Sequence, residues 1–95
     1  MWGTPEWREV MVEFFKEYRG WTFVLKPYWR WSDEWDHDHC ISCGTSIAEP
    51  GLREDAITIA YGVSDRHPRG ADYEWLCPPC AQQLAPGLEL RLVNA

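Results

Sequence analysis

Long apolar runs are missing from this chain. No stretch of its 95 residues approaches the roughly 20 consecutive apolar positions that a membrane-spanning helix needs, so no membrane span is expected. The N-terminus, Met1-Trp2-Gly3-Thr4-Pro5-Glu6, has no basic region followed by an apolar segment, which is the pattern of an export leader, and the cytoplasm is the expected compartment. Positive charge is scarce, with 9 Lys and Arg against 15 Asp and Glu and a net charge of −6. Phosphate backbones repel such a surface, which argues against nucleic-acid binding. The basic residues are also scattered, and only Arg66 and Arg69 lie close together, in one polar loop. There is no nucleophile elbow, no phosphate-cradling glycine loop and no H-E-x-x-H. Repeats, low-complexity stretches and linkers are absent too, so residues 1–95 read as a single domain.

Cysteine is nearly as scarce, but its placement is the most telling feature. All four cysteines fall in two C-x-x-C units, Cys40-Ile-Ser-Cys43 and Cys77-Pro-Pro-Cys80, with thirty-three residues between them. Two such pairs at this distance read as a tetrathiolate zinc site with Cys40, Cys43, Cys77 and Cys80 as ligands. Four thiolates can close a tetrahedral Zn²⁺ shell and leave no open position for water. The ion and four deprotonated thiols take the net charge from −6 to about −8. The alternatives are two disulfides or buried free thiols. Paired C-x-x-C units with no export leader favour the metal.

A domain this small buries a modest core, and a metal is a common staple for it. Aromatics make up 15% of the residues and include seven tryptophans. Large rings fill a small core efficiently, and the same rings serve as anchors at protein interfaces.

Thr4 is placed to cap a helix, with Pro5 at its first position. Trp7, Val10, Met11, Phe14, Phe15 and Tyr18 then recur at helical spacing on one face, and Gly20 ends the segment. Trp21 to Leu25 reads as a strand that Pro27 stops or confines to an edge. Ser32 to His39 is an acidic, histidine-bearing lead into the first cysteine pair. Ala56 to Val63 alternates Ile57, Ile59, Tyr61 and Val63 and reads as a strand. Tyr73 to Leu76 is its partner across a polar loop from Ser64 to Asp72, forming a long-tipped hairpin. Cys77 opens a short helix through Leu84 that closes near Pro86-Gly87, and Leu88, Leu90 and Leu92 alternate as a final strand. The expected fold is α+β. An N-terminal amphipathic helix packs on a small antiparallel sheet, with the cysteine site at one end.

A cysteine knuckle, then a hairpin, then two ligands at a helix start resembles the treble-clef zinc fingers over roughly residues 39 to 85. In that family the first pair sits on a knuckle, and Gly44 after Cys43 suits the turn of backbone N–H groups toward sulfur. The second pair sits in the first helical turn, where Pro78 and Pro79 are tolerated and the helix dipole favours thiolates. A rubredoxin-like iron site would want glycine after both pairs, but Ala81 follows the second, so zinc is expected. The run Trp75 to Cys80 also resembles a thioredoxin-type redox motif, but it lies too near the C-terminus for that fold. Asp36-His37-Asp38-His39 with Leu76-Cys77-x-x-Cys80 is similar to the signature of HNH nucleases of the endonuclease VII type. That resemblance implies a divalent ion held by His37 or His39. In that family, however, the D-H-D-H segment lies between the knuckles, whereas here it precedes the first, and Gln82 and Gln83 stand where a further ligand would be. The W-D-H-D-H-C-x-x-C run is similar to one in small bacterial zinc-binding proteins and implies no activity.

Asp36, His37, Asp38 and His39 are therefore read as an outer layer of partners around the metal or as a solvated turn, and His67 as a solvated loop residue. Trp29, Trp31, Asp33, Glu34 and Trp35 form the candidate interface, with aromatic anchors beside charge. The expected function is contact with a protein partner, a basic one by charge, as an inhibitor or immunity-type protein would make. No catalytic residue is assigned, and a degenerate HNH-type nuclease is the alternative.

Overall fold

The computed structural model describes residues 2–30, 32, 34–64 and 67–94. Thr4 caps the first helix as its sequence suggests, its Oγ1 accepting from the Trp7 N–H at 3.1 Å with Pro5 in the first turn. Helix α1 (Pro5–Phe14) stops before the apolar periodicity does, and a 3₁₀ turn (Lys16–Tyr18) carries the chain on. The tighter turn swings Phe15 and Tyr18 into the core, each 7% exposed. Val10 and Phe14, expected on the buried face, are instead 60% and 72% exposed. The reason is the neighbour that α1 finds, which is helix α2 (Pro78–Leu88) more than the sheet. Val12, outside the expected stripe, packs against Gly87 of α2.

Pro86 and Gly87 lie inside α2 rather than closing it. A Cβ on Gly87 would sit 2.6 Å from Val12 Cγ2, so this glycine serves the close approach of the two helices. The helix ends one turn later than expected, at Glu89, whose φ of 54° is left-handed. Leu88, read from the sequence as the start of a strand, is helical and 1% exposed.

The main sheet has the order β5-β4-β1-β6, with β1 Thr22–Pro27, β4 Ile59–Val63, β5 Trp75–Leu76 and β6 Arg91–Asn94. Strand β4 pairs antiparallel with both β1 and β5, which confirms the long-tipped hairpin. The sheet is mixed rather than wholly antiparallel, because β6 joins β1 in parallel. The crossover between them runs through the cysteine segment and α2, long enough for a parallel return. Pro27 fits a central strand because β6 covers only Thr22 to Leu25, beyond which the proline needs no second partner. A second sheet pairs β2 (His37–His39) with β3 (Ser46–Ala48), where the sequence reading saw only a lead-in. The core gathers Phe15, Tyr18, Phe23, Tyr28, Ile47, Val63, Trp75, Leu76, Leu84 and Leu88 between α2 and the two sheets.

Gly62 lies in β4 against the β5 side of this core. A Cβ there would meet Asp72 Oδ1 at 2.6 Å and the Trp75 ring at 3.2 Å. Trp75 is 1% exposed and Asp72 is held by Lys26 at 2.6 Å, so neither yields cheaply. Gly62→Ala is expected to cost about 1–3 kcal/mol of overpacking. That exceeds the roughly 0.4–1 kcal/mol gained from a stiffer unfolded chain. A lower denaturation midpoint at unchanged denaturant slope is the expected result, and an unchanged midpoint would refute the packing argument.

Candidate metal centre

The first cysteine pair stands on the turn of the β2–β3 hairpin. Cys40 N–H donates to Thr45 O at 2.8 Å, and Gly44 N–H donates to Cys40 O at 2.9 Å. Gly44 takes a φ of +82°, the left-handed turn that this knuckle needs. The second pair is brought to it by β5. Cys40 bridges in parallel with Trp75, and Ile41 N–H donates to Trp75 O at 3.0 Å. Strand β5 then runs into α2, where Cys77 is the N-cap residue and Cys80 lies in the first turn, with Pro78 and Pro79 at the positions whose N–H groups would go unpaired.

The four sulfurs of Cys40, Cys43, Cys77 and Cys80 all lie within 4.8 Å of one another, and Cys43 Sγ is 3.6 Å from Cys77 Sγ. All four cysteines are free, and the 3.6 Å separation is far longer than the roughly 2.05 Å of a disulfide. A tetrahedral ion with metal–sulfur bonds of about 2.3 Å needs sulfur–sulfur edges of about 3.8 Å, so the donor set fits such an ion closely. Cys40, Cys77 and Cys80 are buried and Cys43 is exposed. Hydrogen bonds from Cys77 and Cys80 hold Cys40 far below the ordinary thiol range. Donation to Cys40 pushes Cys77 far up, and the same bond to Cys40 pushes Cys80 up to about 11. A bound cation replaces these shared protons. Among the described residues this is the one group of three or more His, Cys, Asp or Glu side chains placed to hold a metal.

Two further side chains reach the sulfurs. Trp2 Nε1–H donates to Cys80 Sγ at 3.2 Å, and Thr45 Oγ1 lies 3.0 Å from Cys43 Sγ. Neither was found from the sequence. Thr45 carries a weak signal as the residue following the knuckle glycine, and nothing in the sequence links position 2 to position 80.

The segment Asp36 to His39 lies on and just before β2. His37 Nδ1 is 2.5 Å from Asp36 Oδ1, and this partner holds the Asp36 carboxyl below its ordinary range. The His37 and His39 rings meet edge to face at 4.8 Å. His39 Nδ1 bonds Gly44 O at 3.1 Å and so touches the knuckle backbone. Asp38 Oδ2 accepts from Tyr28 OH at 2.7 Å. Burial, then Asp38, pushes the Tyr28 hydroxyl above its ordinary range, so it stays a donor.

Of the candidate interface, Trp31 and Asp33 lie outside the described residues. Trp29 and Trp35 are 70% and 43% exposed, and Glu34 is exposed. The Arg69 guanidinium stacks over Tyr73 at 5.4 Å, and this pair divides two open grooves. One, of about 490 Å³, is walled by Trp29. The other, of about 540 Å³, is walled by Trp35 and runs to Cys40. His67, read as solvated, has only 10% of its side chain exposed. Its Nδ1 accepts from Arg69 N–H at 3.0 Å, and its Nε2 lies 3.2 Å from Glu74 Oε2, which also accepts from Tyr18 OH. Its neighbours Tyr18, Trp21 and Tyr73 are what bury it.

The chain matches no protein-family model, no curated protein and no solved structure.

The Tyr28–Asp38 bond joins the main sheet to the hairpin that carries the knuckle. Tyr28→Phe leaves Asp38 without this donor and is expected to cost about 1–2 kcal/mol. A thermal melt of the variant would check this, and a melting temperature equal to wild type would show that Asp38 finds water instead.

Proposed function

We propose that this chain is a small zinc-binding protein of treble-clef type whose ion is structural, and that it acts by contact with a protein partner. The observation that carries the reading is the convergence of four cysteine sulfurs within 4.8 Å of one another, with no His, Asp or Glu of the described residues in the group. Zn²⁺ favours such an all-sulfur tetrahedron, and a shell filled by protein leaves no position for a substrate or an activated water. The ion would then supply folding free energy. The knuckle on a hairpin turn and the second pair at a helix start support the treble-clef reading.

The proposed contact surface is the ridge of Tyr73 and Arg69 with Trp29 and Trp35 on either side. Exposed aromatic rings around shallow grooves supply area at small entropic cost. The net charge of −6, or about −8 with zinc, selects a basic partner and speeds its approach. An inhibitor or immunity-type protein that blocks a basic target is the specific form of this reading.

Structural zinc contributes about 10–16 kcal/mol, comparable to or larger than the roughly 5–15 kcal/mol net stability of a small domain. Cys40→Ser and Cys77→Ser are therefore expected to abolish cooperative melting, and a variant that melts like wild type would refute a structural ion. Native mass spectrometry with and without chelator is the test of the whole reading. The expected result is one zinc per chain, loss of the compact charge envelope on stripping, and a copurified partner that Trp29→Ala/Trp35→Ala loses without losing zinc. A mass four hydrogens light and metal-free would mean disulfides and overturn it. A second divalent ion, with plasmid nicking that His37→Ala/His39→Ala abolishes, would favour the nuclease instead.

A further inference from the structure

Trp2 precedes the first helix, yet its indole reaches the first turn of the second. The contact to Cys80 has one possible direction, because an indole nitrogen only donates. Nε1–H therefore gives its hydrogen to Cys80 Sγ, 3.2 Å away. One ring contact and the fold of the neighbouring backbone hold the indole there. The Trp2 ring packs on Trp7 with centroids 5.6 Å apart. Gly3 takes a φ of +80°, a left-handed conformation that folds the first residues back over the start of α1. The Arg8 guanidinium then ties that fold to α2, donating to Gly3 O at 2.8 Å and to Gln83 Oε1 at 2.9 Å. Gln83 lies one turn beyond Cys80 on the same helix. The N-terminal segment is thus fastened to both helices, and the fastening aims one N–H at one sulfur.

We propose that Trp2 is a positioning residue of the metal centre. Its indole N–H donates to the Cys80 thiolate and draws electron density from it, while the ring forms an outer wall over a sulfur that is itself fully buried. The inference rests on the metal-binding reading above. A hydrogen bond to a metal-bound thiolate lowers the sulfur's basicity, and partners of this kind commonly change metal affinity by about 10–100-fold. Charge-assisted N–H donation of this sort is also stronger than a bond between neutral groups. Trp2 would therefore slow loss of the ion and shield Cys80 from protons and electrophiles. Because Trp2 is 49% exposed, losing its N–H leaves the core intact.

Cobalt separates the two roles. Wild type, Trp2→Phe and Trp2→Ala are loaded with Co²⁺, and the sulfur-to-cobalt charge-transfer band and the rate of cobalt transfer to a competing chelator are recorded. Trp2→Phe keeps a ring and removes only the donor. It is expected to bind one Co²⁺ per chain with the band moved to lower energy and release about tenfold faster. Trp2→Ala loses the wall as well and is expected to release faster still. A Trp2→Phe band and release rate equal to wild type would overturn the proposal. Wild type that binds no cobalt would overturn the metal centre itself, and this inference with it. A readout on the unmutated protein guards against misfolding. In the ¹¹³Cd-loaded chain the Trp2 indole proton should exchange slowly and couple to cadmium through the hydrogen bond. Fast exchange with no coupling would also overturn it.

Discussion

Four sulfurs from two distant C-x-x-C units must meet within 4.8 Å, and most of the architecture follows from how the chain arranges that meeting. The hinge is β5, a strand of two residues. On one side it pairs with β4, and on the other Trp75 O accepts from Ile41 in the first knuckle. Its next residue is Cys77, the cap of α2. Any slip of β5 by one residue would turn Trp75 out of the core and carry Cys77 away from Cys43. Among the described tryptophans Trp75 is the most buried, at 1% exposed. Its indole donates to Asp72 O at 3.0 Å, Tyr28 meets its ring edge-on at 5.0 Å, and Lys26 lies over it at 5.9 Å.

That arrangement explains why a metal suits this fold. Alone, the two-residue β5 and the three-residue strands β2 and β3 have few backbone bonds to hold them. Isolated hairpins of this size are marginal in water. An ion held by the four sulfurs would close the long segment between the pairs and pin both short elements at once. The entropic cost of closing a loop grows only with the logarithm of its length, so one strong cross-link offsets a long separation. The large rings of the core do the complementary work, filling the space between α2 and the sheets with few residues.

The cysteine cluster was legible because C-x-x-C spacing is set by local geometry. A knuckle and a helical first turn each present two sulfurs to one point, whatever lies between them. The start of α2 was legible for the same kind of reason, since Pro78 and Pro79 suit little else after Cys77. What stayed hidden depends on neighbours distant in sequence. Periodicity marked Val10 and Phe14 as apolar but could not say that α1 would turn Val12 toward Gly87. Pro86-Gly87 read as a stop because its helix-breaking cost is local, while the benefit, close approach of α1, is tertiary. His67 sits in a polar run, and only the fold brings Tyr18, Trp21 and Tyr73 around it. Strands β2 and β3 are too short to show alternation, and their partners are each other.

The same distinction bears on the acidic segment before the first knuckle. As a string of letters it is a block of negative charge, but in the fold its carboxylates are partly committed. Asp38 accepts from Tyr28, and Asp36 is bound to His37. Charge that is internally satisfied contributes to the long-range field but offers less to a direct contact. The more specific features of that face are aromatic. The partly buried His67–Glu74–Tyr18 chain ties the loop that presents Arg69 and Tyr73 to the core, beneath the ridge between Trp29 and Trp35. Rings held in place lose little freedom on docking, which is the condition under which exposed aromatics contribute most to binding. Under the proposed partner reading, steering by the net charge and anchoring by the rings would fall to different residues of this chain.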